Sequence, residues 1–90
     1  MSENLDREVK ELFETLAKIK NAELLNDLFI DLCTRKEVDS MAQRLKAAKL
    51  LAEGATYEQV IAETEISSAT LSKVSKALKY GKGYKALYKK

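Results

Sequence analysis

The residues best suited to chemistry lie between Ser67 and Lys79, where small and hydroxylated side chains give way to a lysine at every third position. Ser67, Ser68, Ala69 and Ser72 come first, and Lys73, Lys76 and Lys79 follow. A serine hydroxyl both donates and accepts, so Ser68 and Ser72 can pair with base edges in a DNA groove, while the Ala69 methyl can touch a thymine methyl. Lysine ammonium groups suit backbone phosphates, contacts that position a protein without conveying sequence information. The free N–H groups at a helix start offer phosphate a further site. A lysine-rich solvated face on a small helical bundle would show much the same pattern.

Catalysis finds little support. The chain has no histidine, so it has no Ser-His or Cys-His pair and no imidazole metal ligand. Ser72 and Lys76 stand one helical turn apart, but a solvent-exposed lysine is charged at neutral pH and makes a poor base. Glu63 and Glu65 are too few for a metal site, and no glycine-rich phosphate loop is present. The expectation is a non-enzyme with no catalytic residue, no metal and no cofactor.

Two short helices must hold these side chains. Thr56 with Gln59 three residues on is a capping box, in which each side chain satisfies a backbone N–H of the other. Ser67 and Ser68 stand where a second N-cap is needed, just past a hinge at Glu65-Ile66. Two helices joined by so short a turn form a helix-turn-helix, here over residues 55–79, whose second helix can enter a major groove. Val60, Ile61, Ile66, Leu71, Val74 and Leu78 make the apolar seam that fixes the pair.

Charge follows the same division. The net charge of +2 hides nine basic and eleven acidic residues in 1–53, against seven lysines and three glutamates in 54–90. No acidic residue occurs from Ile66 onward. A segment basic only where the second helix begins has the electrostatic footprint of a phosphate binder.

The rest of the chain is a scaffold. Ninety residues with 46% apolar content, no proline and three glycines predict one all-α domain of about six helices. A first helix starts near Ser2, with Leu5, Val9, Leu12, Phe13, Leu16 and Ile19 on one face. Asn21 caps a second, carrying Leu24, Leu25, Leu28, Phe29 and Leu32. Thr34 and Glu37 form a capping box for a third, with Val38, Met41, Ala42, Leu45, Ala48 and Ala52 as its stripe, widened toward its end by Leu50 and Leu51, and Gly54 as its stop. Residues 80–90 are a basic tail or a short helix holding Tyr84, Leu87 and Tyr88. Cys33 is a lone cysteine, expected to be a small buried hydrophobe in a reducing cytoplasm. No membrane span and no export signal are visible.

The stripes of the first two helices are too wide for one small interior, and a second subunit, joined through a helical scaffold over residues 1–53, is the simplest cover. A homodimer also sets two recognition helices on half-sites about one DNA turn apart. The competing expectation is a self-contained bundle.

Over LCTRKEVDSMAQRLKAAKLLAEGATYEQVIAETEISSATLSKVSKALK the chain resembles the Trp repressor family, and most of all its YerC/YecD branch of Trp-repressor-like proteins. The matching points are Leu32, Thr34, Glu37, Arg44, Leu50-Leu51, Gly54, the run Ala69-Thr70-Leu71-Ser72-Lys73, and Ser75 with Leu78-Lys79. The resemblance implies an intertwined all-helical homodimer, operator binding through the hinged pair, and repression. It also implies an effector pocket at Thr34, Arg44, Lys73, Val74 and Ala77. Lys73 stands in place of an arginine that packs on the indole, Val74 in place of a glycine, and Ala77 in place of a serine. The hinge is one residue shorter. These departures speak against tryptophan and leave a different small-molecule effector, or none.

The combined expectation is a cytoplasmic, homodimeric regulator of transcription, a repressor that binds a pseudo-palindromic site in double-stranded DNA. The rival is a small helical dimer whose basic C-terminal face binds an acidic protein or RNA.

Overall fold

The computed structural model describes residues 3–88, and these form six α-helices and no strand. In chain order they are α1 (Glu3–Lys18), α2 (Ala22–Leu32), α3 (Arg35–Ala52), α4 (Tyr57–Thr64), α5 (Ser68–Tyr80) and α6 (Gly83–Leu87). The predicted start of α1 at Ser2 lies outside the described residues, as do Lys89 and Lys90. No helix among the described residues is long and apolar enough to cross a membrane.

The chain divides into two compact units, residues 1–35 and 36–90. The first holds α1 and α2. Asn21 caps α2 as its position predicts, its side-chain oxygen accepting from the N–H groups of Glu23 at 2.8 Å and Leu24 at 3.2 Å. The apolar stripes form as read, yet they stay in solvent. Leu5, Val9, Leu12 and Phe13 on α1 are 38–63% exposed, and no residue of α2 is buried. Cys33 is half-buried rather than enclosed, because it follows the last residue of α2 in extended backbone.

The second unit holds the core. Ala47, Ala48, Val60, Ile66, Leu71 and Val74 are buried together, with Leu50, Leu51, Ile61, Tyr84 and Tyr88 packed against them. Four of these six belong to the seam read over α4 and α5, of which Ile61 and Leu78 are only partly buried. On α3 the outcome differs from the predicted stripe. Ala47 and Ala48 are fully enclosed, whereas Ala42 and Leu45 stay exposed. On α3 the fully enclosed residues are thus the small Ala47 and Ala48, with Leu50 and Leu51 packed beside the core and Leu45 outside it.

Local chemistry sets the boundaries. Gly54 has φ +98° and ends α3, a left-handed conformation that glycine adopts without a Cβ penalty. Gly81 has a different task. A Cβ there would lie 2.6 Å from the Ala77 carbonyl oxygen, the same atom that accepts the Gly81 N–H at 2.8 Å. The chain can leave α5 and turn into α6 at this point because position 81 has no side chain. Replacing Gly81 by alanine should therefore cost about 1–3 kcal/mol in urea unfolding. Gly83→Ala meets nothing within 4 Å and should leave the midpoint unchanged or slightly raised.

Candidate nucleic-acid interface

The interface is built on a turn of three residues, Glu65 to Ser67, between α4 and α5. Its entry is fixed by the Thr56–Gln59 capping box: the Gln59 N–H donates to Thr56 Oγ1 at 3.2 Å and the Thr56 N–H donates to Gln59 Oε1 at 2.8 Å. At the far end of α4, Thr64 is buried and fully used. Its hydroxyl donates to the Val60 carbonyl at 2.8 Å and accepts from the Ile66 N–H at 3.3 Å. The Thr64 carbonyl, left without a helical partner, accepts from Gln43 Nε2 on α3 at 3.1 Å. Glu65 then takes the left-handed conformation, φ 61° and ψ 19°, while its N–H still bonds to Ile61 O at 2.9 Å. Ile66 drops into the core at 4% exposure.

Ser67 resolves the double serine. It is the N-cap of α5, its Oγ accepting from the Thr70 N–H at 3.2 Å and donating to Thr70 Oγ1 at 2.9 Å. Its hydroxyl therefore holds the helix start, and Ser68 is the first residue of α5 with an uncommitted place on the surface. From there the outward face follows from helical geometry. At 100° per residue, Ser68, Ala69, Ser72, Lys73, Lys76 and Lys79 span an arc of about 140°, and all six are exposed. Leu71 and Val74 occupy the opposite side, at 0% and 2% exposure. Six of the seven residues singled out for nucleic-acid contact thus stand on one solvent face, backed by the core, while Ser67 precedes the helix and caps it.

Of the residues of the implied effector pocket, one belongs to the first unit and four to the second. Thr34 lies in the first unit and is exposed. In the second unit Arg44 is exposed, with its Nε donating to the Ser40 carbonyl at 3.3 Å. Lys73 belongs to the outward face of α5, and Val74 is a core residue. Ala77 is half-buried and borders a hollow of about 320 Å³ with Leu45, Gly81 and Tyr84. Among the described residues no group of three or more His, Cys, Asp or Glu is arranged to hold a metal ion.

Sequence reasoning missed Thr64 and Gln43. A threonine at the end of a helix just before a left-handed residue carries a weak signal, because its hydroxyl can return to the carbonyl four residues back. Gln43 carries none, since its bond spans 21 residues of chain.

A family model described as Trp repressor protein matches residues 7–90. The chain is 43% identical over 75 residues to the uncharacterised protein YerC of Bacillus subtilis strain 168, covering 83% of this chain and 72% of that protein. Two solved structures are similar in fold. A candidate Trp repressor from Staphylococcus aureus superposes with a TM-score of 0.86 at 35% identity, covering 90% of this chain and 82% of its own. A TrpR-like protein from Eubacterium eligens gives 0.87 at 36% identity, covering 91% and 86%.

The turn carries two tests by chemical denaturation. Thr64→Val keeps the shape but strands the Ile66 N–H, and should cost about 1–3 kcal/mol. Glu65→Gly removes the left-handed penalty and should gain about 1 kcal/mol; a loss of stability there would contradict the strained geometry.

Proposed function

Because the chain belongs to the Trp repressor family, within its YerC branch, we propose that it is a homodimeric regulator of transcription that binds a pseudo-palindromic DNA site and represses from it. The observation that carries this reading is the outward face of α5. A helix anchored by Leu71 and Val74 presents Ser68, Ala69 and Ser72 toward its start and Lys73, Lys76 and Lys79 toward its end. Ser68, Ala69 and Ser72 read base edges, and the three lysines grip phosphates on either side of the groove. Ser67 contributes by capping the helix, leaving its first N–H groups pointed toward an approaching phosphate. Such a regulator acts in the cytoplasm, where the DNA is.

Dimerisation is supported by surface that one copy leaves wet. Full burial of a large apolar side chain is worth roughly 1.5–3 kcal/mol, and Leu5, Phe13, Leu24, Ile30 and Leu32 are each at least half exposed. Residues 1–53 form the scaffold of the dimer, 55–79 face the DNA, and 80–90 form a basic C-terminal segment that includes the short helix α6.

Tryptophan is not the effector in this reading. The Val74 side chain fills the core at 2% exposure, and a flat ring entering beside it would overpack the seam. A ligand bound to the folded state raises its melting temperature, so millimolar tryptophan should leave both the melting temperature and the affinity for DNA unchanged. A clear upward shift would overturn this part.

Selection of bound fragments from random duplex DNA should recover a short palindrome. Equal enrichment of RNA or of unrelated duplexes would instead favour the rival, a basic face for an acidic protein or RNA. Lys73→Ala combined with Lys76→Ala should weaken binding to every duplex and flatten its salt dependence by roughly two units of slope. An unchanged affinity at low salt would remove these lysines from the interface.

A further inference from the structure

The end of α5 carries one side chain that neither the core nor the lysine clamps account for. Tyr80 is 83% exposed, the most exposed large hydrophobic side chain among the described residues. It is the last residue of α5, one place before the Gly81 N–H closes the helix on the Ala77 carbonyl. Exposure alone would mean little, since single apolar residues are common on protein surfaces. The direction of the side chain is what matters. At 100° per residue Tyr80 stands about 180° from Leu71, which is fully enclosed in the core. By the same count it lies about 20° from Lys73 and about 40° from Lys76, both exposed. Tyr80 thus falls inside the outward arc of α5, two turns beyond Lys73 and one beyond Lys76, and it follows Lys79 directly.

Distance along the helix separates its task from that of the serines. A rise of 1.5 Å per residue puts Tyr80 about 18 Å beyond Ser68 and about 12 Å beyond Ser72. The major groove is about 12 Å wide, and a recognition helix meets base edges through its N-terminal residues. With Ser68, Ala69 and Ser72 at the base edges, Tyr80 has left the groove and stands over the sugar-phosphate backbone. A side chain there meets phosphate oxygens, which accept hydrogen bonds and carry no sequence information. A phenol suits them, because its O–H donates from the end of a long, rigid ring. Unlike a lysine it brings no cation, so it displaces no counterion from the duplex.

We propose that Tyr80 is a DNA-contact residue, whose phenol hydroxyl donates to a backbone phosphate at the groove edge, one helical turn past Lys76. This rests on reading α5 as the DNA-facing helix and extends its footprint to the last residue of that helix. The contact is neutral and blind to sequence. It adds affinity at every salt concentration, whereas the contribution of each lysine falls as salt rises.

Tyr80→Phe deletes one oxygen from an exposed side chain and leaves the core contacts of α5 in place. Binding of the unaltered chain, Tyr80→Phe and Lys79→Ala is measured across a salt series on two duplexes, the palindrome recovered by selection and a mixed sequence of equal length. Dimerisation of each protein is followed by sedimentation equilibrium. Tyr80→Phe should weaken binding about tenfold on both duplexes, with the salt slope unchanged. Lys79→Ala should instead lower that slope by about one unit. Unchanged affinity of Tyr80→Phe would overturn the contact, and so would a loss confined to the palindrome, since phosphates are common to both duplexes. A flatter slope for Tyr80→Phe, or a dimer weakened in step with binding, would likewise overturn it. In each of these cases the unaltered chain still binds DNA and the regulator reading stands. An unaltered chain that binds neither duplex would overturn both.

Discussion

Leu71 and Val74 bury one side of α5 against Ala47, Ala48, Val60 and Ile66, and the direction of every lysine on that helix follows from this contact. An isolated helix of thirteen residues is marginal in water. What holds α5 straight and at one angle is the apolar seam, with each large side chain contributing on the order of 1.5–3 kcal/mol. The small residues on α3 are as important as the large ones on α5. Alanines at 47 and 48 share the buried cluster with Leu71 and Val74, and a bulkier pair there would overpack it.

The turn adds polar precision to that apolar contact. Burying the end of a helix exposes orphan carbonyl and amide groups to an environment without water. Here the Thr64 hydroxyl, itself bonded to the Val60 carbonyl, satisfies the Ile66 N–H, and Gln43 satisfies the Thr64 carbonyl, so the chain can reverse in three residues. Gln43 reaches from α3, which ties the hinge to the same helix that supplies the alanine platform. The angle between α4 and α5 is thus set from one side by packing and from the other by hydrogen bonds, and the left-handed Glu65 is the strain that this compact geometry tolerates.

What the sequence revealed was mostly local. The capping box at Thr56 and Gln59, the cap at Asn21 and the stop at Gly54 each depend on residues within a few positions of one another, and each appears where its spacing places it. The lysine face of α5 was legible for the same reason, since helical periodicity alone separates it from Leu71 and Val74. The platform on α3 was not. Periodicity marked Leu45 as core on the strength of its size, whereas the helix turns Ala47 inward instead. Val74 shows a further limit: it fits both the seam and the pocket implied by the family, and only the three-dimensional structure shows it buried in one cluster with Leu71, Ile66 and Ala48. The bond from Gln43 to Thr64 crosses too much chain for any pattern of spacing to announce.

The position of the aromatic residues has an experimental consequence. The chain has no tryptophan, and its four tyrosines are Tyr57, Tyr80, Tyr84 and Tyr88, all of them in the second unit, with Tyr84 and Tyr88 against the core. The first unit has only the weak phenylalanine chromophores Phe13 and Phe29. Ultraviolet emission from this molecule is therefore a private signal of residues 36–90, while far-ultraviolet ellipticity sums over all the helices. Wherever the two traces diverge on heating, the difference measures melting of α1 and α2 by themselves, with no label attached.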